Sequence, residues 1–260
     1  MFVWYAVPVC SYESFLSAAA ESTNYASQIV EYFLPEAALF ATICGLLAFA
    51  AFDLGENRAV SKIAAETFAA ACAGLFLVGV MYLALLLEPA QVKTLFSGYL
   101  FTSRYVVALK FVVLIAGLFV LHTSRSYVTS SHRPLIEFPI MLALALLFML
   151  LLVGANHVMT MFLALAGFSL NMYILILFDA PQHVSREAGV KYYYLSTLST
   201  GFILYGAFLL YMLHGSGRFD VIDFVLRTQA LEEGSVLLQF GMLLMFVGFF
   251  FKLSSFPGHL

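Results

Sequence analysis

Seven apolar runs, each about long enough to cross a bilayer, leave this chain few alternatives for its fold. They cover residues 33–54, 64–87, 104–123, 138–154, 157–178, 188–213 and 234–256. A helix rising ~1.5 Å per residue needs about 20 apolar residues to cross the hydrocarbon layer. No water is present there to satisfy backbone amides, so a run of this length closes its own hydrogen bonds as a helix. The breaks between runs carry turn and loop chemistry: Asp53 to Arg58, Glu88-Pro89, Ser124 to Pro134, Gly154-Ala155-Asn156-His157, Asp179-Ala180-Pro181 and Gly215-Ser216-Gly217. The expected fold class is all-α, a polytopic membrane protein of about seven transmembrane helices.

Composition agrees. Hydrophobic residues make up 63% of the chain and charged residues only 10%, against about 25% charged in an ordinary soluble domain. A net charge of −3 spread over so few charges implies no nucleic-acid partner. Cys10, Cys44 and Cys72 have neither metal-ligand nor CxxC spacing and read as small apolar residues. The sequence also lacks a GxGxxG, a P-loop and a cysteine cluster, so no nucleotide, flavin, haem or iron–sulfur site is expected.

Residues 1–32 contain Pro8 and small polar side chains and read as an extension outside the bilayer, ahead of a membrane domain over 33–260. No lysine or arginine precedes Arg58, while Glu13, Glu21, Glu31 and Glu36 come first. An import presequence is Arg-rich and acid-poor, so synthesis inside the compartment is expected, in a bacterium or from an organelle genome. The stretch 218–233 is too polar to span; Val221, Phe224, Val225 and Leu231 give it an amphipathic, interfacial face. An odd number of spans puts the termini on opposite sides. Loops one, three and five hold Arg58, Lys62, Arg125, Arg133 and Arg186, whereas loops two, four and six hold Lys93, Arg218 and Arg227. The positive-inside rule then places the N-terminus outside.

Ionisable residues at membrane depth are the functional candidates, because each costs roughly 2.5–3.5 kcal/mol on insertion scales. Lys252 ends the last apolar run and Pro257 follows it. A proline frees backbone carbonyls beside the lysine, the pattern of a broken transporter helix. Lys191 lies three residues into the sixth span, where a snorkelling lysine is the competing reading. Ser196, Thr197, Ser199, Thr200 and Gly201 follow it and suit close helix packing or a hydrated path. Lys110 reads as snorkelling. Glu137 opens the fourth span, where a carboxylate also complements a helix N-terminus. His157, after the four-residue turn, reads as an interfacial polar residue. His259 would face whatever Lys252 faces if the helix opens at Pro257.

Three stretches carry a resemblance: Leu34-Pro35-Glu36; Glu187-Ala188-Gly189-Val190-Lys191-Tyr192 leading into Gly201-Phe202-Ile203-Leu204-Tyr205-Gly206 and Leu210-Tyr211; and Phe251-Lys252-Leu253-Ser254 before Pro257 and His259. Together they resemble the subunit 2 family of NADH:ubiquinone oxidoreductase, respiratory complex I, most strongly from Ile136 to His259. The resemblance implies half of an antiporter-like fourteen-helix fold with a broken seventh helix, in which Lys252 is the broken-helix lysine and Lys191 the accessory lysine of helix six. Its proton relay would then run through Lys191 and Lys252, with Glu137 and His259 as secondary candidates. Two departures stand out. The second half of the fold is absent, which leads one to expect a second polypeptide from a split gene. The family's helix-five glutamate falls at Ala166, and no acidic residue occurs between Glu137 and Asp179, so Lys252 is expected to lack its charged partner.

The function this implies is a non-redox, membrane-arm subunit of the proton-pumping oxidoreductase in the mitochondrial inner membrane. Its implied partners are the other membrane-arm subunits, the completing chain and the lipid bilayer, with no cofactor on this chain and bound lipid such as cardiolipin. The alternatives are a structural subunit of the same complex with a lost proton channel, or a subunit of a multi-component sodium/proton antiporter.

Overall fold

The computed structural model describes residues 32–51, 60–87, 93–130, 137–178, 183–219, 222 and 236–253. The expected extension before residue 32, Pro257, His259 and Val221, Phe224, Val225 and Leu231 lie outside the described residues. The chain divides into Met1–Leu34 and Pro35–Leu260, and the architecture below is that of the second unit.

Seven α-helices occur among the described residues: α1 Tyr32–Ala51, α2 Val60–Leu87, α3 Arg104–Ser130, α4 Glu137–Val153, α5 Val158–Leu177, α6 His183–His214 and α7 Val236–Lys252. Each matches one expected span. Five are apolar and long enough to cross a membrane, whereas α4 and α7 have 17 residues each, the short end of the spanning range. Pro139 falls within the first turn of α4, where a missing N–H breaks no helical hydrogen bond. Large apolar side chains cover the outside as well as the inside, among them Phe76, Phe119, Tyr194 and Phe246. A helix apolar all round belongs in lipid.

Two cores form. The larger joins α1 to α4 through Leu39 and Ile43, Phe68 and Leu75, Leu114 and Leu121, and Ile140 and Leu150. The smaller joins α5, α6 and α7 through Met161, Leu165 and Ile203, with Met245 and Phe249 packed against them. α6 and α7 make an extensive helix contact. A Cβ added at Gly206 would lie 2.6 Å from the Gly241 carbonyl oxygen, and one at Gly248 would lie 2.9 Å from the Ser199 carbonyl oxygen. Only small residues let two backbones approach so closely.

The connection between α2 and α3 holds a small hairpin not foreseen in the sequence. β1 Lys93–Leu95 pairs antiparallel with β2 Leu100–Thr102, with Lys93 opposite Thr102 and Leu95 opposite Leu100. A 3₁₀ turn, Phe96–Gly98, joins them, and Gly98 adopts φ +92°, a conformation that favours glycine. Three-residue strands are too short to show an alternating pattern in sequence. Their backbone groups are satisfied instead by the α4–α5 turn: Phe101 N–H donates to Gly154 O at 2.8 Å and Asn156 N–H to Tyr99 O at 3.0 Å.

Candidate functional site

The connections after α2, α4 and α6 interlock at one end of the bundle. Beyond the hairpin bonds, Val158 N–H donates to Gly217 O at 2.9 Å and Phe219 N–H to Asn156 O at 2.9 Å. The Asn156 side chain donates from Nδ2 to Gly98 O at 3.1 Å. Alternating loops of a serpentine membrane protein share one side, so this meeting of even-numbered connections agrees with the span count. His157 caps α5 here: its Nδ1 accepts from Met159 N–H at 3.1 Å, and its ring lies 4.5 Å from that of Tyr99. Burial, and then the nearby Arg218 guanidinium, holds its pKa below the usual imidazole value. It thus caps α5.

Lys252 ends α7 half-buried and turns onto α5. Its Nζ donates to Ser169 Oγ at 2.9 Å and to the Leu165 carbonyl oxygen at 3.4 Å. No carboxylate takes part in these contacts. Ser169 Oγ in turn donates to Leu165 O at 2.7 Å, and the Tyr192 hydroxyl of α6 interacts with the hydroxyls of both Ser169 and Ser196. A hydroxyl has one donor and two acceptor positions, so Ser169 can hold Lys252 and Tyr192 together. Ser169, Tyr192 and Ser196 border a recess of about 210 Å³ between α5 and α6, which Ala166, Thr197 and Thr200 also line. Ala166 and Ser169 stand three residues apart and share a helix face. The polar stretch of α6 serves the expected close helix packing, and part of it borders the recess. Ser199 is fully buried and donates to Gly248 O at 2.8 Å on α7, whereas Ser196, Thr197 and Thr200 line the recess.

Lys191 does not touch Lys252. It pairs with Glu187 one turn earlier on α6, at 2.8 Å with both side chains about half exposed. Both lie in a second recess, which Tyr192 also lines. Glu137 is the exposed first residue of α4, the helix-end position its sequence context suggested.

Lys110 corrects the snorkelling reading. Its ammonium is buried and contacts Glu36 Oε1 of α1 at 2.5 Å, with side-chain exposures of 7% and 3%. Tyr82 of α2 completes the cluster, its ring centroid 5.9 Å from Lys110 Nζ. Snorkelling needs a path for the side chain to the interface. Here a carboxylate 74 residues away in sequence captures the ammonium inside the bundle. Burying such a pair costs several kcal/mol of desolvation per ion, and removing one partner alone costs about 3–5 kcal/mol. The one sequence signal for it was Glu36 itself, a carboxylate inside an apolar run.

Comparison with known proteins adds to this geometry. Residues 155–260 match the family model described as NADH:quinone oxidoreductase/Mrp antiporter, TM. The chain is 29% identical to NADH-quinone oxidoreductase subunit N of Parvibaculum lavamentivorans over 91% of its own length and 47% of that protein. Against subunit N of Beijerinckia indica it is 33% identical, over 71% of this chain and 38% of the relative. The chain thus spans under half the length of these curated relatives. A chain of the respiratory complex I from Thermus thermophilus, solved with bound aureothin, superposes with a TM-score of 0.65 at 25% identity, over 86% of this chain and 45% of that one. The fold is the antiporter-like one of complex I, and the chain's homologues are subunit N of NADH-quinone oxidoreductase.

Proposed function

We propose that this chain is a membrane-arm subunit of a proton-translocating NADH:quinone oxidoreductase, contributing to an antiporter-like module in which Lys252 carries the proton. The observation that carries this reading is Lys252 itself, an ionisable side chain at the end of an apolar helix, held by the Ser169 hydroxyl, which borders a recess between α5 and α6. Intramembrane ionisable residues that face a bundle interior mark ion pathways far more often than lipid faces. The ammonium would release its proton toward Ser169, whose own hydroxyl turns from Leu165 O to Tyr192 and passes it toward Ser196. Lys191 and Glu187 supply or receive protons at the neighbouring recess, again by way of Tyr192.

Redox chemistry is assigned to other subunits, since the three cysteines have no ligand spacing. The proposed partners are the other membrane-arm subunits and the bilayer, with anionic lipid such as cardiolipin against the exposed apolar faces. The mitochondrial inner membrane belongs to the proposal; the relatives reported above are bacterial, and membrane fractionation tests it. Native mass spectrometry of the complex shows whether the remaining helices of the module ride on a second polypeptide.

The decisive experiment replaces Lys252 with Met, which keeps the apolar volume and removes the charge. The expected result is an assembled complex that oxidises NADH with a lower proton yield. A normal proton yield from an assembled K252M complex would overturn the assignment.

A further inference from the structure

We propose that Glu36, Lys110 and Tyr82 form a second proton-exchange site, separate from the Lys252 pocket, between α1, α2 and α3. The cluster is enclosed: the residues are 3%, 5% and 1% exposed. Lys110 takes only one carboxylate oxygen, Oε1. Glu36 Oε2 and the Tyr82 hydroxyl are both buried and make no hydrogen bond of ordinary geometry. They belong to neighbouring groups, since the Tyr82 hydroxyl interacts with the Glu36 carboxyl.

An ion pair kept only to hold helices together is expected to satisfy both oxygens, because a buried polar atom without a partner is a standing cost. Here the second oxygen is met only by the Tyr82 hydroxyl, outside ordinary hydrogen-bond geometry. The position also suits exchange. A Cβ on Gly154 would come within 3.1 Å of Lys110 Nζ, so the absent side chain seats the ammonium against the α4–α5 turn. That turn belongs to the interlocked end of the bundle, where the hairpin meets it.

Two proton states are then available. In one, an N–H bond of the Lys110 ammonium breaks and an O–H bond forms on Glu36, turning the ion pair into a neutral amine and acid with no change in net charge. In the other, a proton arriving at Oε2 leaves Glu36 neutral beside a charged Lys110, and the cluster gains one positive charge.

The test uses the assembled complex and two variants. Glu36→Gln combined with Lys110→Met removes both charges together and leaves no orphaned ion, so the fold is expected to persist. Lys110→Arg keeps the ion pair but replaces the ammonium with a guanidinium that does not deprotonate. The site readout is the carboxyl C=O band in the infrared difference spectrum induced by NADH. It is expected in the unaltered complex and in K252M, absent in the double variant, and altered by Lys110→Arg. The pumping readout, which rests on the proposed function above, is proton uptake per NADH, expected to fall in both variants. An unaltered complex that moves no protons fails that function and leaves the band to decide the site. A double variant with the same band and the same proton yield as the unaltered complex overturns the site. If the double variant does not assemble, a Lys110→Arg complex with unchanged band and yield overturns it equally.

Discussion

Replacing Ser169 with Ala removes one oxygen and tests whether the hydroxyl, rather than a carboxylate, holds Lys252. Ser169 Oγ receives the 2.9 Å bond from Nζ, and the remaining acceptor, Leu165 O, stands at 3.4 Å, where hydrogen bonding is weak. A hydrogen bond to a charged group contributes about 1.5–3 kcal/mol. If that stabilisation is lost from the relay, proton transfer slows roughly ten- to a hundredfold, at about tenfold per 1.36 kcal/mol. The cavity left is a single oxygen wide, so the fold should hold. The assay is proton uptake per NADH by the purified complex in vesicles, with complex abundance measured alongside. Expected are normal abundance, a lowered proton yield and partial rescue by Ser169→Thr, which restores a hydroxyl. Unchanged yield at normal abundance would show that Lys252 does not depend on Ser169 and would refute the hydroxyl relay.

Two further outcomes follow from packing and from titration. Gly206→Ala should weaken α6–α7 association and lower complex abundance, because its Cβ would sit 2.6 Å from the Gly241 carbonyl oxygen; Gly201→Ala, with nothing within 4 Å, should leave abundance unchanged. At the α5 cap, the lowered pKa of His157 means that the unfolded chain protonates first as pH falls. The neutral ring's contribution is therefore fully present above about pH 6.5, the unfolded value, and is lost as pH falls below it. Amide exchange at Met159 should accelerate over that window, and His157→Asn, a capping side chain that does not titrate there, should abolish the acceleration.

Spans were legible because length and apolarity are local properties. Twenty apolar residues are helical in lipid whatever surrounds them, and all seven expected runs became α1 to α7. Local context also sufficed for Glu137 at a helix start. Glu187 and Lys191, one turn apart, are likewise neighbours by helical geometry alone.

Tertiary structure decided which ionisable groups meet. Glu36 and Lys110 are separated by 74 residues and Lys252 and Ser169 by 83, and no periodicity within one helix reports a partner on another. Lys110 read as a snorkelling lysine because its own helix offers no carboxylate. Only the packing of α1 against α3 shows that it points inward. Ser169 gave no signal at all, being an ordinary small residue in an apolar run until α7 places a lysine on it. The sequence thus determined the membrane class, the seven helices found among the described residues and the positions of the lysines on them. The structure decided their partners, because burying a charge is tolerable only where another chain segment supplies the compensating atom.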